Sequence, residues 1–110
     1  MTRRTRAARC SITLAVAALL AVAPAGASAP STVAIKDFRY APNVITVPVG
    51  STITWVNHDE EPHTVTSTTG RFRSGGLVND ETFVETFDTP GTFTYTCALH
   101  PHMKATVVVR

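Results

Sequence analysis

The sequence predicts an all-β chain folded as one small β-sandwich, and three features carry that expectation. From residue 30 onward no stretch places apolar residues at a helical period. Short runs rich in Val, Ile, Thr, Phe and Tyr recur instead, and turn residues separate them. The candidate strands are 31–36, 43–47, 51–57, 62–67, 81–87, 92–97 and 104–109.

Pro48-Val49-Gly50-Ser51 ends the second run with a proline and a glycine, the chemistry of a tight turn. In the third, Ile53, Trp55 and Asn57 alternate with Thr52, Thr54 and Val56, as in a half-buried strand, and Trp55 is expected in the core. Residues 68–80, with Gly70, Gly75 and Gly76, form the longest irregular stretch. Asp88-Thr89-Pro90-Gly91 is a second proline–glycine turn, between the runs at 81–87 and 92–97. In the latter, Phe93, Tyr95 and Cys97 share one face, so a core-facing strand points the thiol inward. There is no repeat, linker or second domain.

The first 29 residues read as an export leader. Met1 to Arg9 holds four arginines and no acid, an apolar run spans Ile12 to Ala23, and small residues continue to Ala29. The run is 12 residues long, against about 20 for a membrane span. Cleavage after Ala27 defines a signal peptide 1–27 and a domain 28–110; the alternative end is Ala29, just before Pro30. Thr2-Arg3-Arg4 admits a twin-arginine route, but nothing apolar follows the pair at once, and the general secretory route is favoured. The expected location is the periplasm or the outside of a bacterial cell, with no membrane span after cleavage.

Removing the leader changes the charge argument. The precursor carries +2, but residues 28–110 hold six basic and eight acidic side chains, a net −2. Without a basic cluster, nucleic acid is excluded as a partner. Cys97 and Met103 become the only cysteine and methionine, and one cysteine makes no internal disulfide. A domain of about 83 residues without a disulfide buries only about 60–65% of its unfolded surface, so a bound metal would add needed stability.

Cys97-Ala98-Leu99-His100-Pro101-His102-Met103 supplies that possibility. Read as C-x2-H-x2-M, it joins a thiolate, an imidazole and a thioether in one loop, a donor set that favours copper. A second histidine must come from elsewhere. His63, in Glu61-Pro62-His63-Thr64-Val65, opens a β-run 34 residues before Cys97 and is the preferred candidate over His58, which sits in a polar turn. His102 lies between His100 and Met103 and is expected to face solvent. Structural zinc is the rival metal, but it takes four Cys, His or carboxylate ligands and Met is a poor substitute. A nucleophilic Cys97 with His100 as base lacks identifiable oxyanion donors.

Over residues 33–109 the chain resembles the cupredoxins, the small blue copper proteins, and within them the amicyanin and plastocyanin-like group. The resemblance rests on Phe38 to Pro42, Val47-Pro48-Val49-Gly50 and Ile53-Thr54-Trp55-Val56-Asn57, then Pro62-His63-Thr64-Val65. Pro90-Gly91-Thr92-Phe93-Thr94-Tyr95-Thr96-Cys97 and the short ligand loop complete it. It implies a Greek-key, cupredoxin-like β-sandwich of about seven to eight strands. It also implies one type 1 copper, with His63, Cys97 and His100 in the trigonal plane and Met103 as weak axial ligand. The implied role is one-electron transfer without enzymatic turnover, as a monomer, between a donor dehydrogenase and an acceptor cytochrome or oxidase. The alternative is a copper-binding carrier or storage protein.

Several neighbours acquire expected roles from the same resemblance. Leu99, Pro101 and His102 would belong to the partner-facing surface around His100. Asp59, Glu60 and Glu61 read either as a solvated turn or as an acidic rim that steers a basic partner. Thr64 stands where relatives usually carry an asparagine bonded towards the cysteine loop; its hydroxyl offers one donor and a shorter reach. Ala105 stands where many relatives have glycine, a departure that matters only if the position needs φ > 0.

Overall fold

The computed structural model describes residues 7, 8, 10–13, 15–17 and 30–110. The expected cleavage positions at 27 and 29 lie outside the described residues. Among the described residues no helix is long and apolar enough to cross a membrane. Eight strands follow one another: β1 (Pro30–Lys36), β2 (Arg39–Ala41), β3 (Val44–Val47), β4 (Ser51–Asn57), β5 (Thr66–Ser67), β6 (Thr82–Phe87), β7 (Gly91–Thr96) and β8 (Lys104–Val109).

They form two four-stranded sheets, ordered β2-β1-β4-β6 and β3-β8-β7-β5. The chain stays within one sheet only from β1 to β2 and from β7 to β8; every other connection crosses the sandwich. With these crossings β1 runs parallel to β4, and β3 parallel to β8. This is the all-β sandwich the sequence predicts.

Side-chain alternation builds the core. In β4 Ser51, Ile53, Trp55 and Asn57 are buried, and the threonines and valine between them are half-buried. From β8 come Ala105, Val107 and Val109. Trp55 has no exposed surface and packs its ring against Phe83 at 5.7 Å, Tyr95 at 5.6 Å and Phe72 at 6.1 Å between centroids. Its Nε1 donates to the Tyr95 hydroxyl at 3.1 Å, so the buried indole N–H has a partner. Gly50, at φ 89°, makes the turn into β4, and its N–H donates to the Phe87 carbonyl at 2.7 Å.

The structure corrects two strand expectations. Residues 62–65 do not belong to a strand: only Thr66 and Ser67 pair with β7, and His63 makes an isolated bridge to Leu77. Pro62 has no N–H to give a ladder, and the next two N–H groups of interest go elsewhere, Thr64's to Cys97 Sγ and Val65's to Ser74 Oγ. The second correction is β2, a short strand antiparallel to β1 that the sequence reading omits. Asp37 and Phe38 turn the chain there in the left-handed region, at φ 52° and 58°, with no glycine to signal it. Each such residue costs about 1–2 kcal/mol, so the turn needs outside support.

Candidate metal centre

Two connections meet at one end of the sandwich. One is the β4–β5 segment, which carries His63; the other is the β7–β8 loop, which carries Cys97, His100 and Met103. Cys97 follows β7 directly and continues its inward face with Tyr95, both without exposed surface. The loop then closes on itself: Cys97 N–H donates to the Met103 carbonyl at 3.2 Å, His100 N–H to Cys97 at 3.3 Å, and Met103 N–H to His100 at 2.9 Å. The Met103 side chain is buried, while Ala98, Leu99, Pro101 and His102 are exposed and His100 is half-buried.

The donor atoms converge. His63 Nδ1 and His100 Nδ1 lie 3.2 Å apart, and Cys97 Sγ lies 3.9 Å from the first and 3.6 Å from the second. A circle through a triangle with sides of 3.2, 3.6 and 3.9 Å has a radius of about 2.1 Å. Bonds from a comparable first-row metal, zinc, run about 2.0–2.1 Å to imidazole nitrogen and about 2.3 Å to thiolate sulfur. The three atoms therefore stand at coordination distance from a common point before any adjustment. Among the described residues no further Cys, His, Asp or Glu joins this group, which disfavours a four-ligand structural zinc site.

The protonation of His63 fits the same purpose. Its Nε2 is 2.8 Å from Asp59 Oδ2. An ionised carboxylate only accepts, so Nε2 carries a proton, and Nδ1, the atom that faces the cluster, is the one left to supply a lone pair to a metal. Burial pushes the Asp59 carboxyl upward, but the N–H groups of Phe38 and Asp37 and the His63 ring outweigh it and hold the group below the usual carboxylate range. Asp59 Oδ1 takes the Asp37 N–H at 2.8 Å and Oδ2 the Phe38 N–H at 2.9 Å.

Asp59 is thus a correction to both sequence readings of the 59–61 segment. It is neither a solvated turn residue nor part of an exposed rim, because its side chain is 9% exposed and its acceptors are engaged. Glu60 and Glu61 are exposed. A signal for Asp59 existed: the inward alternation Ile53, Trp55, Asn57 continues by two residues past the end of β4. Asn57 is the other residue whose part was missed. Its Nδ2 donates to the carbonyls of Glu61 at 2.9 Å and Leu77 at 2.8 Å, and its Oδ1 accepts the Asp59 N–H at 2.9 Å.

Thr64 joins the two connections. Its N–H donates to Cys97 Sγ at 3.3 Å, and its Oγ1 accepts the Ala98 N–H at 2.7 Å and meets Thr66 Oγ1 at 2.8 Å. The hydroxyl reaches the cysteine loop as an acceptor, so its single donor is no obstacle. Beneath it Tyr40 Oη donates to the Thr64 carbonyl at 2.5 Å, and the Tyr40 ring packs on Tyr95 with centroids 4.7 Å apart. Burial, then the neighbouring Cys97 and Tyr95, push the Tyr40 hydroxyl far above the ordinary phenol value. Ala105 lies in extended backbone inside β8 and is not among the positive-φ residues, so its methyl is accommodated. His58 and His102 are exposed, and neither belongs to the cluster.

His63, Cys97, His100 and Met103 are positioned to bind one copper ion, and the arrangement is that of a type 1 site. Comparison with known proteins agrees. A family model described as Cupredoxin-like domain matches residues 10–109. The chain is 35% identical to amicyanin-alpha of Methylorubrum extorquens over 108 residues, covering 87% of this chain and 84% of that one. It is 32% identical to amicyanin of Paracoccus versutus over 82 residues, covering 70% of this chain and 62% of the relative, less than two thirds of its length. A solved variant amicyanin in the Cu(I) state superposes with a TM-score of 0.69 at 30% identity, over 72% of this chain and 80% of that one. A copper-containing nitrite reductase from Thermus scotoductus gives a TM-score of 0.70 at 28% identity, over 74% of this chain but only 22% of that one.

Proposed function

The chain belongs to the cupredoxin-like family, and from that premise we propose that it is an exported one-electron carrier with a single type 1 copper held by His63, Cys97, His100 and axial Met103. The observation that carries this reading is the convergence of His63 Nδ1, His100 Nδ1 and Cys97 Sγ on one point at bonding distance. Bound copper supplies a one-electron Cu(I)/Cu(II) couple.

The protein's own part is to keep the donor set nearly fixed through that change. His63 and Cys97 are fully buried and anchored by Asp59 and the Thr64 N–H, so they have little room to rearrange. The N–H bond to Sγ and the buried Met103 are the means by which the fold tunes the potential. His100 is the one histidine of the pair with exposed surface, and Leu99, 54% exposed, sits beside it in the loop with Pro101 and His102. These four residues form the surface through which an electron enters or leaves, and Glu60 and Glu61 flank His63 with negative charge.

The donor is a dehydrogenase and the acceptor a cytochrome or oxidase, met by the protein as a monomer. It is read as a carrier and not as an enzyme by its likeness to the amicyanins. Residues 1–27 act as the cleaved leader, with 29 as the alternative end, and place the domain in the periplasm or outside the cell.

Electrochemistry tests the role. The copper-loaded protein should give reversible one-electron voltammetry and fast electron self-exchange, and retain Cu(I) against a chelator. Sluggish exchange together with rapid loss of Cu(I) would instead identify a copper-delivery or storage protein.

A further inference from the structure

Asp59 gathers three N–H donors that belong to two separate parts of the chain. The His63 ring and the Phe38 backbone share Oδ2, and the Asp37 backbone binds Oδ1. Asp37 and Phe38 are the consecutive left-handed residues of the β1–β2 turn, a conformation neither favours alone. That turn presents the Phe38 ring to the metal centre. Its centroid lies 4.9 Å from His63 and 4.9 Å from His100, at interplanar angles of 83° and 86°. One aromatic side chain therefore meets both histidines edge to face. The carboxylate that orients the first histidine also holds the backbone from which this side chain projects.

We propose that Asp59 and Phe38 form a clamp that pre-sets both metal histidines. Asp59 is a positioning residue: it fixes the His63 tautomer with Nδ1 free, and it locks the turn that presses Phe38 against the two rings. Phe38 then limits the rotation of His100, whose loop is otherwise exposed on both sides of it. Among the described residues no carboxylate is hydrogen-bonded to His100, so beyond its Nδ1 contacts within the cluster its ring is oriented by this contact and by the backbone closure of its loop. The buried histidine is held by a hydrogen bond and the half-buried one by a ring edge, and a single carboxylate secures both.

The inference rests on the copper reading for its purpose, but part of its test needs no copper. In the copper-free protein, nitrogen-edited NMR should find His63 protonated at Nε2, with that proton and the Asp37 and Phe38 amides exchanging slowly. Asp59→Asn leaves one acceptor oxygen for three donors; all three protons should exchange at least about ten times faster, and a chelator should take copper about 10–100 times more readily. Phe38→Leu keeps the carboxylate bonds, so His63 Nε2–H stays protected, but the hyperfine splitting and the ratio of the visible bands should change as His100 gains freedom. Asp88→Asn, in the turn after β6, should change none of these. The clamp is overturned if Asp59→Asn leaves proton exchange and copper release within about twofold of wild type. If Asp59→Asn does not fold, Phe38→Leu decides alone, and an unaltered copper spectrum overturns the proposal. A wild-type protein that never turns blue would sink the electron-carrier reading, while the copper-free exchange measurements would still decide the clamp.

Discussion

The two connections that build the metal centre are made in opposite ways. The upstream arm, Asn57 to Thr64, sinks Asn57, Asp59, His63 and Thr64 into the interior and engages each in side-chain hydrogen bonds to distant backbone or to the other arm. The C-terminal loop, Cys97 to Met103, buries only its first and last residues and closes through three backbone bonds of its own. The arm supplies rigidity, and the loop supplies most of the donors and an edge that reaches solvent. A centre that must hold its geometry and still exchange electrons with another protein needs both. The difference teaches that stability and chemistry are separable here by mutation.

The largest effect should come from the loop and be chemical. Cys97→Ser removes the thiolate, so the visible charge-transfer band should vanish completely, while the copper-free protein still unfolds cooperatively in urea. A retained band would mean that another residue supplies the sulfur-like donor. The next effect belongs to the arm and should be structural. Asn57→Ala leaves the Glu61 carbonyl and the Asp59 N–H without their present partner, while the Leu77 carbonyl keeps the His63 N–H, at about 1–3 kcal/mol for each buried group left unpaired. A loss of about 2–6 kcal/mol in urea unfolding is expected, and a loss below about 1 kcal/mol would show that the arm is not held as described.

How far this division was legible in the sequence follows from sequence distance. The loop ligands stand within seven residues, so Cys97, His100 and Met103 declare themselves by residue type and spacing. The sandwich was equally plain, because alternation in 51–57 and 92–97 is a local pattern that burial then follows. His63 was found by its need for a partner and by family likeness. Asp59 was misread because three consecutive acids look like a solvated turn, and only folding brings the Asp37 and Phe38 N–H groups to one of them. The β2 strand was missed for the same reason: its left-handed turn carries no glycine and is stabilised from 21 and 22 residues away. Strand 62–67 was overextended because β-branched composition does not reveal that the backbone of Thr64 and Val65 is committed to side-chain partners.

A smaller effect tests the floor shared by both connections. Tyr40 and Tyr95 lie under the site, and burial pushes the Tyr95 hydroxyl up from 10.0 to about 12 and that of Tyr40 further. A phenol raised on folding favours the native state while it stays protonated. Its contribution is complete below about pH 10 and disappears as the pH rises through the folded values. Stability should therefore fall by about 2–3 kcal/mol for Tyr95 alone between pH 10 and 12, and Tyr95→Phe should make that part of the profile less steep, with Tyr40 supplying the slope that remains. A profile that is flat in wild type would contradict it. The smallest effect belongs to the loop's outer face: His102→Ala should leave colour, hyperfine splitting and stability unchanged, because the side chain is exposed and outside the cluster. Bleaching by that change would make His102 a ligand.

The central claim is that the fold itself brings two imidazoles and a thiolate to one point with a thioether beside them. The most direct measurement is the optical and electron paramagnetic resonance spectrum after one equivalent of Cu(II) is added to the copper-free protein. An intense thiolate-to-copper band, a blue colour and a narrow copper hyperfine splitting are expected. A colourless, tetragonal complex with a wide splitting would contradict the assignment of His63, Cys97, His100 and Met103 as a type 1 site.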